Sequence, residues 1–110
     1  MRIGCERREV FLVALVDSQL RLIEAVELHR GATTQVEVHP REVALLALKA
    51  NARGVFLMHN HPSGDLIPSR ADILITERIK EALAVFDMLV FDHVIATPEG
   101  YVSLAKKGHI

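Results

Sequence analysis

Val55-Phe56-Leu57-Met58-His59-Asn60-His61-Pro62-Ser63-Gly64 is the stretch on which the fold turns. Its first four residues form a short apolar run that follows Gly54, which reads as a buried strand running straight into His59. Along an extended chain, side chains alternate between faces. His59 and His61 therefore point to one side while Asn60 faces away, the arrangement a small cation needs. Pro62 and Gly64 then turn the chain, so that a later carboxylate can swing back toward the same point. Ser69 and Asp72 follow at the start of a helical pattern that continues through Ile73, Thr76, Ile79, Leu83 and Phe86. Two neutral nitrogens and one oxygen leave a fourth tetrahedral position free, which separates a hydrolytic zinc site from a closed structural one.

Working outward, Val10-Phe11-Leu12-Val13-Ala14-Leu15-Val16 is a continuous apolar run closed by Asp17-Ser18-Gln19. It reads as a central strand buried on both faces, followed by a turn. Leu20 to Leu28 returns as a second strand, and Gln35 to Val38 as a short one. From Pro40 to Ala52 the apolar positions Val43, Leu46, Ala47 and Ala50 keep helical spacing, with Pro40 suited to the first helical position. Leu89 to Ala96 is a further strand, Pro98-Glu99-Gly100 a turn, and Tyr101 to Leu104 its hairpin partner. The sum is a mixed α/β fold in a single domain spanning residues 1–110.

Composition narrows the function classes. Half of the 110 residues are apolar, enough for one real core and too few for two domains. With 13 basic and 14 acidic residues the net charge is -1, which leaves no basic footprint for duplex binding, although Arg2, Arg7 and Arg8 or Lys106 and Lys107 could touch a phosphate locally. Independent DNA binding is thus expected to be weak. Cys5 is the single cysteine and cannot make an internal disulfide. No apolar run approaches the roughly 20 residues needed to span a bilayer, and the opening residues lack a secretion signal's apolar core. A reducing cytoplasm is the expected setting.

The spaced set Glu9, His59, His61, Pro62, Ser69 and Asp72, together with Pro40-Arg41-Glu42, Asn51-Ala52 and Asp92-His93, resembles the RadC family, a branch of the JAB/MPN (JAMM) metalloprotease-like superfamily. The resemblance runs from about Arg8 to Gly108. It implies a curved β-sheet flanked by helices, the JAB1/MPN-like (cytidine-deaminase-like) zinc hydrolase fold, with Zn2+ held by His59, His61 and Asp72. It further implies Glu9 as general base and Ser69 as the group that holds water or stabilises an oxyanion, in the hydrolysis of a peptide or isopeptide bond of a peptide or protein substrate. Longer family members resemble a helix-hairpin-helix segment joined to this domain. That segment is expected to be absent here, and the family's DNA-repair label supports as an alternative an accessory module that binds metal without turnover.

Each role has an ordinary competitor. Ser69 and Asp72 also spell a helix N-terminal capping arrangement, and an aspartate spent on capping is expected to bind zinc poorly. Glu9 stands in an Arg7-Arg8-Glu9 cluster where a surface ion pair would account for it, and Glu42 is a rival carboxylate that the helix dipole already explains. Asn60 departs from the serine or threonine of the deubiquitinase branch, which puts ubiquitin-type substrates in doubt. His93 reads as a satisfied core histidine outside the metal set that could stand behind a ligand. His29, His39 and His109 read as surface residues. The letters His-Asn-His match HNH nucleases in spelling alone, since those enzymes disperse the three residues over a ββα unit. Exposed edge strands could pair two copies of the chain into a homodimer.

Overall fold

The computed structural model describes residues 9–31, 38–61 and 64–110. Seven elements follow in chain order: β1 (Glu9–Val16), β2 (Leu22–Gly31), α1 (Pro40–Lys49), β3 (Gly54–Asn60), α2 (Arg70–Ala84), β4 (Leu89–Thr97) and β5 (Gly100–Ser103). The expected strand at Gln35 to Val38 falls mostly outside the described residues, as do Arg2, Cys5, Arg7, Arg8, Pro62, Ser63 and the side chain of His29. His39 and His109 are exposed, as expected.

The strands form one five-stranded sheet in the order β2-β1-β3-β4-β5. β1 pairs antiparallel with β2 on one side and β3 on the other. β3 and β4 run parallel, which requires a crossover, and α2 supplies it. β5 closes a hairpin on β4. The apolar run of β1 takes an interior position between β2 and β3, where nearly every one of its residues is buried. Phe11, Val13 and Leu15 from β1, Val55 and Leu57 from β3, Val43 and Ala47 from α1, and Ile79 and Leu83 from α2 belong to one core cluster. A smaller cluster of Ile95, Val102 and Leu104 lies under the terminal hairpin.

Two of the boundaries that differ from the sequence expectation have clear local reasons. The second strand starts at Leu22, because Leu20 takes a left-handed φ of 61° in a turn held by Asp17, whose Oδ1 accepts from the amides of Gln19 and Arg21. The first helix stops at Lys49 instead of Ala52, since Asn51 adopts φ 53° and the Ala52 amide turns back to the Ala47 carbonyl.

The buried side of α2 is divided chemically. Its first half presents Asp72 and Thr76, its second half Ile79 and Leu83. The apolar half belongs to the main core, and the polar half meets the carboxyl end of β3. A crevice at the carboxyl ends of parallel strands, beside a helix N-terminus, is the usual ligand position in such sheets.

Candidate metal centre

The register of β1 on β3 sets His59 opposite Phe11, and the two rings stack with centroids 5.8 Å apart. β3 on β4 places His93 beside Leu57, one alternation below His59. Phe11 also meets His93 edge-on at 5.6 Å, so one aromatic ring walls both imidazoles. Above them sits the first turn of α2.

Asp72 is where capping and ligation meet. Ser69 is the N-cap, its Oγ accepting from the Asp72 amide at 3.0 Å while Asp72 Oδ2 accepts from the Ser69 amide at 2.7 Å, a reciprocal capping box. The same capping carboxylate also faces both histidines. Oδ1 stands 3.0 Å from His59 Nε2, and Oδ2 stands 3.1 Å from His61 Nε2. A carboxylate has about four lone-pair sites, so the cap uses one and leaves the others facing the histidines. Burial alone would raise the Asp72 pKa. The hydrogen bond and charge of His59, with the Ser69 bonds, outweigh it and hold the carboxyl well below its ordinary range.

The hydrogens in the cluster can be placed from what each partner is able to accept. Thr76 Oγ1 donates to the Asp72 backbone carbonyl at 2.7 Å, which uses its single proton. It must therefore accept from His93 Nδ1, 2.5 Å away. His93 Nε2 is then the acceptor for His59 Nδ1–H at 2.8 Å, and in the neutral ring His59 Nε2 carries the lone pair. His61 arrives at the same state independently, because its Nδ1 can only donate to the Asp65 carbonyl at 2.8 Å. Burial, with the charge of His59, pushes the His93 pKa down to about 3, which keeps that ring neutral as the chain of bonds requires.

With both rings in their neutral form, three acceptors face one another. His59 Nε2 and His61 Nε2 are 3.1 Å apart, and each lies within 3.1 Å of an Asp72 oxygen. Such a set repels itself unless a positive charge sits among its members. Among the described residues His59, His61 and Asp72 form a group able to hold a metal ion, with ligand atoms all within 4.8 Å of one another. Two imidazole nitrogens and one carboxylate are the donor types that zinc takes in open sites, so the residues present fit the metal. His59 is nearly enclosed, while the side chains of His61 and Asp72 keep 13% and 12% of their exposure.

Of the other residues singled out by sequence, Ser69 is at the site through the cap. Glu9 opens β1 two positions before Phe11, hence on the face that stacks against His59, and its Oε2 is shut away from solvent. Glu42 is exposed in the first turn of α1. Asn60 is fully buried, and its Oδ1 accepts from the Val10 amide at 2.6 Å, tying β1 to β3 beside Glu9. Thr76 was read from sequence as one more position of an amphipathic helix. Its i+4 spacing from Asp72, polar among inward-facing positions, is the signal that marks it.

The family sequence model of the RadC-like JAB domain matches residues 1–109. The chain belongs to the RadC-like JAB domain family, in agreement with its five-stranded sheet and two helices. It is 52% identical over 109 residues to a UPF0758 protein of Aromatoleum aromaticum, covering 98% of this chain and 48% of that protein. Against a UPF0758 protein of Polaromonas sp. it is 48% identical over 108 residues, again 98% of this chain and 48% of the relative. Against one from Vibrio cholerae it is 47% identical over 107 residues, covering 97% of this chain and 68% of that protein. The chain thus spans about half the length of the first two relatives. Among the described residues, no helix is long and apolar enough to cross a membrane.

Proposed function

We propose that this domain is a zinc-dependent hydrolase of peptide or isopeptide bonds, with His59, His61 and Asp72 as the metal ligands and Glu9 as general base. The observation that carries the reading is the convergence of His59 Nε2, His61 Nε2 and the Asp72 carboxylate at 3.0–3.1 Å. Zinc bound there supplies the Lewis acidity that makes water a nucleophile at neutral pH.

The chain's own groups divide the remaining work. Glu9, on the Phe11 face of β1, takes the proton from water and returns it to the leaving amine. Its support is position: the Asn60 bond fixes the backbone next to it, whereas Glu42 is exposed on a helix whose dipole accounts for it. The Ser69 oxygen accepts from the Asp72 amide and keeps its own proton to donate to the oxyanion that develops on the substrate carbonyl.

Metal analysis of protein purified without added zinc is expected to give about one equivalent. His59→Ala and Asp72→Ala lose it. Glu9→Gln keeps the metal and abolishes cleavage of a mixture of fluorogenic peptides and isopeptide-linked lysine conjugates, while Glu42→Gln leaves cleavage intact. Full cleavage by Glu9→Gln with a dead Glu42→Gln would reverse the base assignment. Stoichiometric zinc without cleavage of any conjugate, with retention on DNA at physiological salt, would favour the accessory module.

A further inference from the structure

The metal reading accounts for three ligands and leaves two buried polar side chains behind them without a role. His93 is fully buried and Thr76 nearly so, on different elements, and their side chains meet each other at 2.5 Å. Resting on the metal-site reading above, we propose that Thr76 and His93 are positioning residues that set the tautomer of His59, directing its Nε2 lone pair at the metal.

The argument is one of donor and acceptor capacity. A neutral imidazole exposes either nitrogen as donor, and His59 alone has no reason to choose Nδ1 over Nε2. The choice is made at the far end of the chain of bonds. The Asp72 carbonyl can only accept, so the Thr76 hydroxyl proton points at it. The oxygen of Thr76 is then an acceptor, which places the His93 proton on Nδ1 and leaves Nε2 bare. His59 must put its own proton on Nδ1 to meet that nitrogen.

The chain closes on itself, because it begins at the backbone of Asp72 and ends at the nitrogen facing the carboxylate of Asp72. One residue of α2 thereby sets both the oxygen ligand and, through Thr76 and His93, the protonation of a nitrogen ligand from β3. Partners of this kind behind a ligand tune affinity by about 10- to 100-fold when removed. His61 has no such chain, since a backbone carbonyl fixes its tautomer directly.

The test uses an isosteric pair at position 76 and nitrogen-15 histidine spectra of the folded chain. In metal-free wild type, His93 is expected as the pure Nδ1–H tautomer, with a scalar coupling across the N–H···N bond to His59. Thr76→Val, which keeps the volume and removes the hydroxyl, is expected to give His93 a second tautomer, lose that coupling and weaken zinc binding by about 10- to 100-fold in chelator competition. Thr76→Ser, which restores the oxygen, is expected to recover coupling and affinity. A wild-type His93 protonated on Nε2, a Thr76→Val protein with unchanged spectra and zinc affinity, or a Thr76→Ser protein as impaired as Thr76→Val would each overturn the proposal. A wild type that takes up no zinc would sink the metal reading instead, and the metal-free spectra would still decide the tautomer.

Discussion

His59 and His93 face each other nitrogen to nitrogen, Nδ1 of the first 2.8 Å from Nε2 of the second, with His93 sealed from solvent. A histidine buried in this way is neutral in the fold and protonates readily once unfolded. Its pKa is pushed down to about 3 in the folded chain, against about 6.5 for an unperturbed histidine. Between those values the unfolded state binds the extra proton, so stability rises with pH across the window and is lost on acidification. The contribution is bounded by about 1.4 kcal/mol per pH unit.

Metal-free protein unfolded by urea at pH 7 and pH 5 therefore loses stability on going down. Both values lie above the Asp72 titration, whose folded pKa is depressed and whose own loss comes only at lower pH. His93→Gln, which cannot titrate, is expected to lose less over the same interval, by on the order of 1 kcal/mol per unit. Equal slopes in the two proteins would mean that burial of His93 carries no proton linkage.

The Asp72 carboxylate caps α2 through Oδ2 and faces the histidines with both oxygens, and substitution can separate the cap from the proposed ligand role. Asp72→Asn retains an acceptor for the Ser69 amide and loses the charge. Asp72→Ala loses both. Thermal denaturation of the metal-free proteins should rank alanine below asparagine by about 1 kcal/mol, the usual value of a cap. Chelator competition should find zinc weakened in both by more than the roughly 10- to 100-fold that loss of an outer partner costs. An asparagine variant that held zinc as wild type does would remove the carboxylate from the ligand set.

Much of this was readable in the residues themselves. The apolar runs Val10 to Val16 and Val55 to Met58 announce buried strands, and the spacing of His59 and His61 places both rings on one face once a strand is granted. The order β2-β1-β3-β4-β5 was not readable, because pairing is decided by contacts between distant segments. That the carboxylate capping α2 also faces both histidines was not readable for a different reason: a capping motif and a ligand motif have the same letters, and only three-dimensional direction tells them apart. His93 was legible as a core histidine that could stand behind a ligand, whereas Thr76 resembles an ordinary tenant of an amphipathic helix until its distance to His93 is known.

Gly54 starts β3 at the point where β4 also starts, and the two backbones nearly touch. A Cβ there would lie 2.3 Å from the Leu89 carbonyl oxygen and 2.7 Å from Phe91 Cε2. The first neighbour is backbone and cannot swing aside. Gly54→Ala is expected to cost about 2–3 kcal/mol through overpacking, seen as a lower urea midpoint. It should also weaken zinc binding, since a shift of β3 against β4 moves His59 relative to His93. Wild-type stability in this variant would show that the parallel pair yields more easily than its backbone spacing implies.

Asn60 lies between the two histidines and points away from them, which makes it a test of the scaffold with the ligands untouched. Its Oδ1 accepts from the Val10 amide at 2.6 Å, at the end of β1 that carries Glu9. Asn60→Leu fills similar space and leaves that buried amide without its side-chain acceptor, a loss of about 1–3 kcal/mol. Hydrogen exchange localises the effect: the Val10 amide, protected in wild type, should exchange far faster in the variant, while amides in the middle of β1, paired to β3 by backbone bonds, speed up only in step with the loss of global stability. Zinc affinity should remain near that of wild type, because neither histidine nor the aspartate depends on the Asn60 side chain. If Val10 stays protected, the strand is held by its neighbours alone, and the asparagine is not what fixes the backbone beside Glu9.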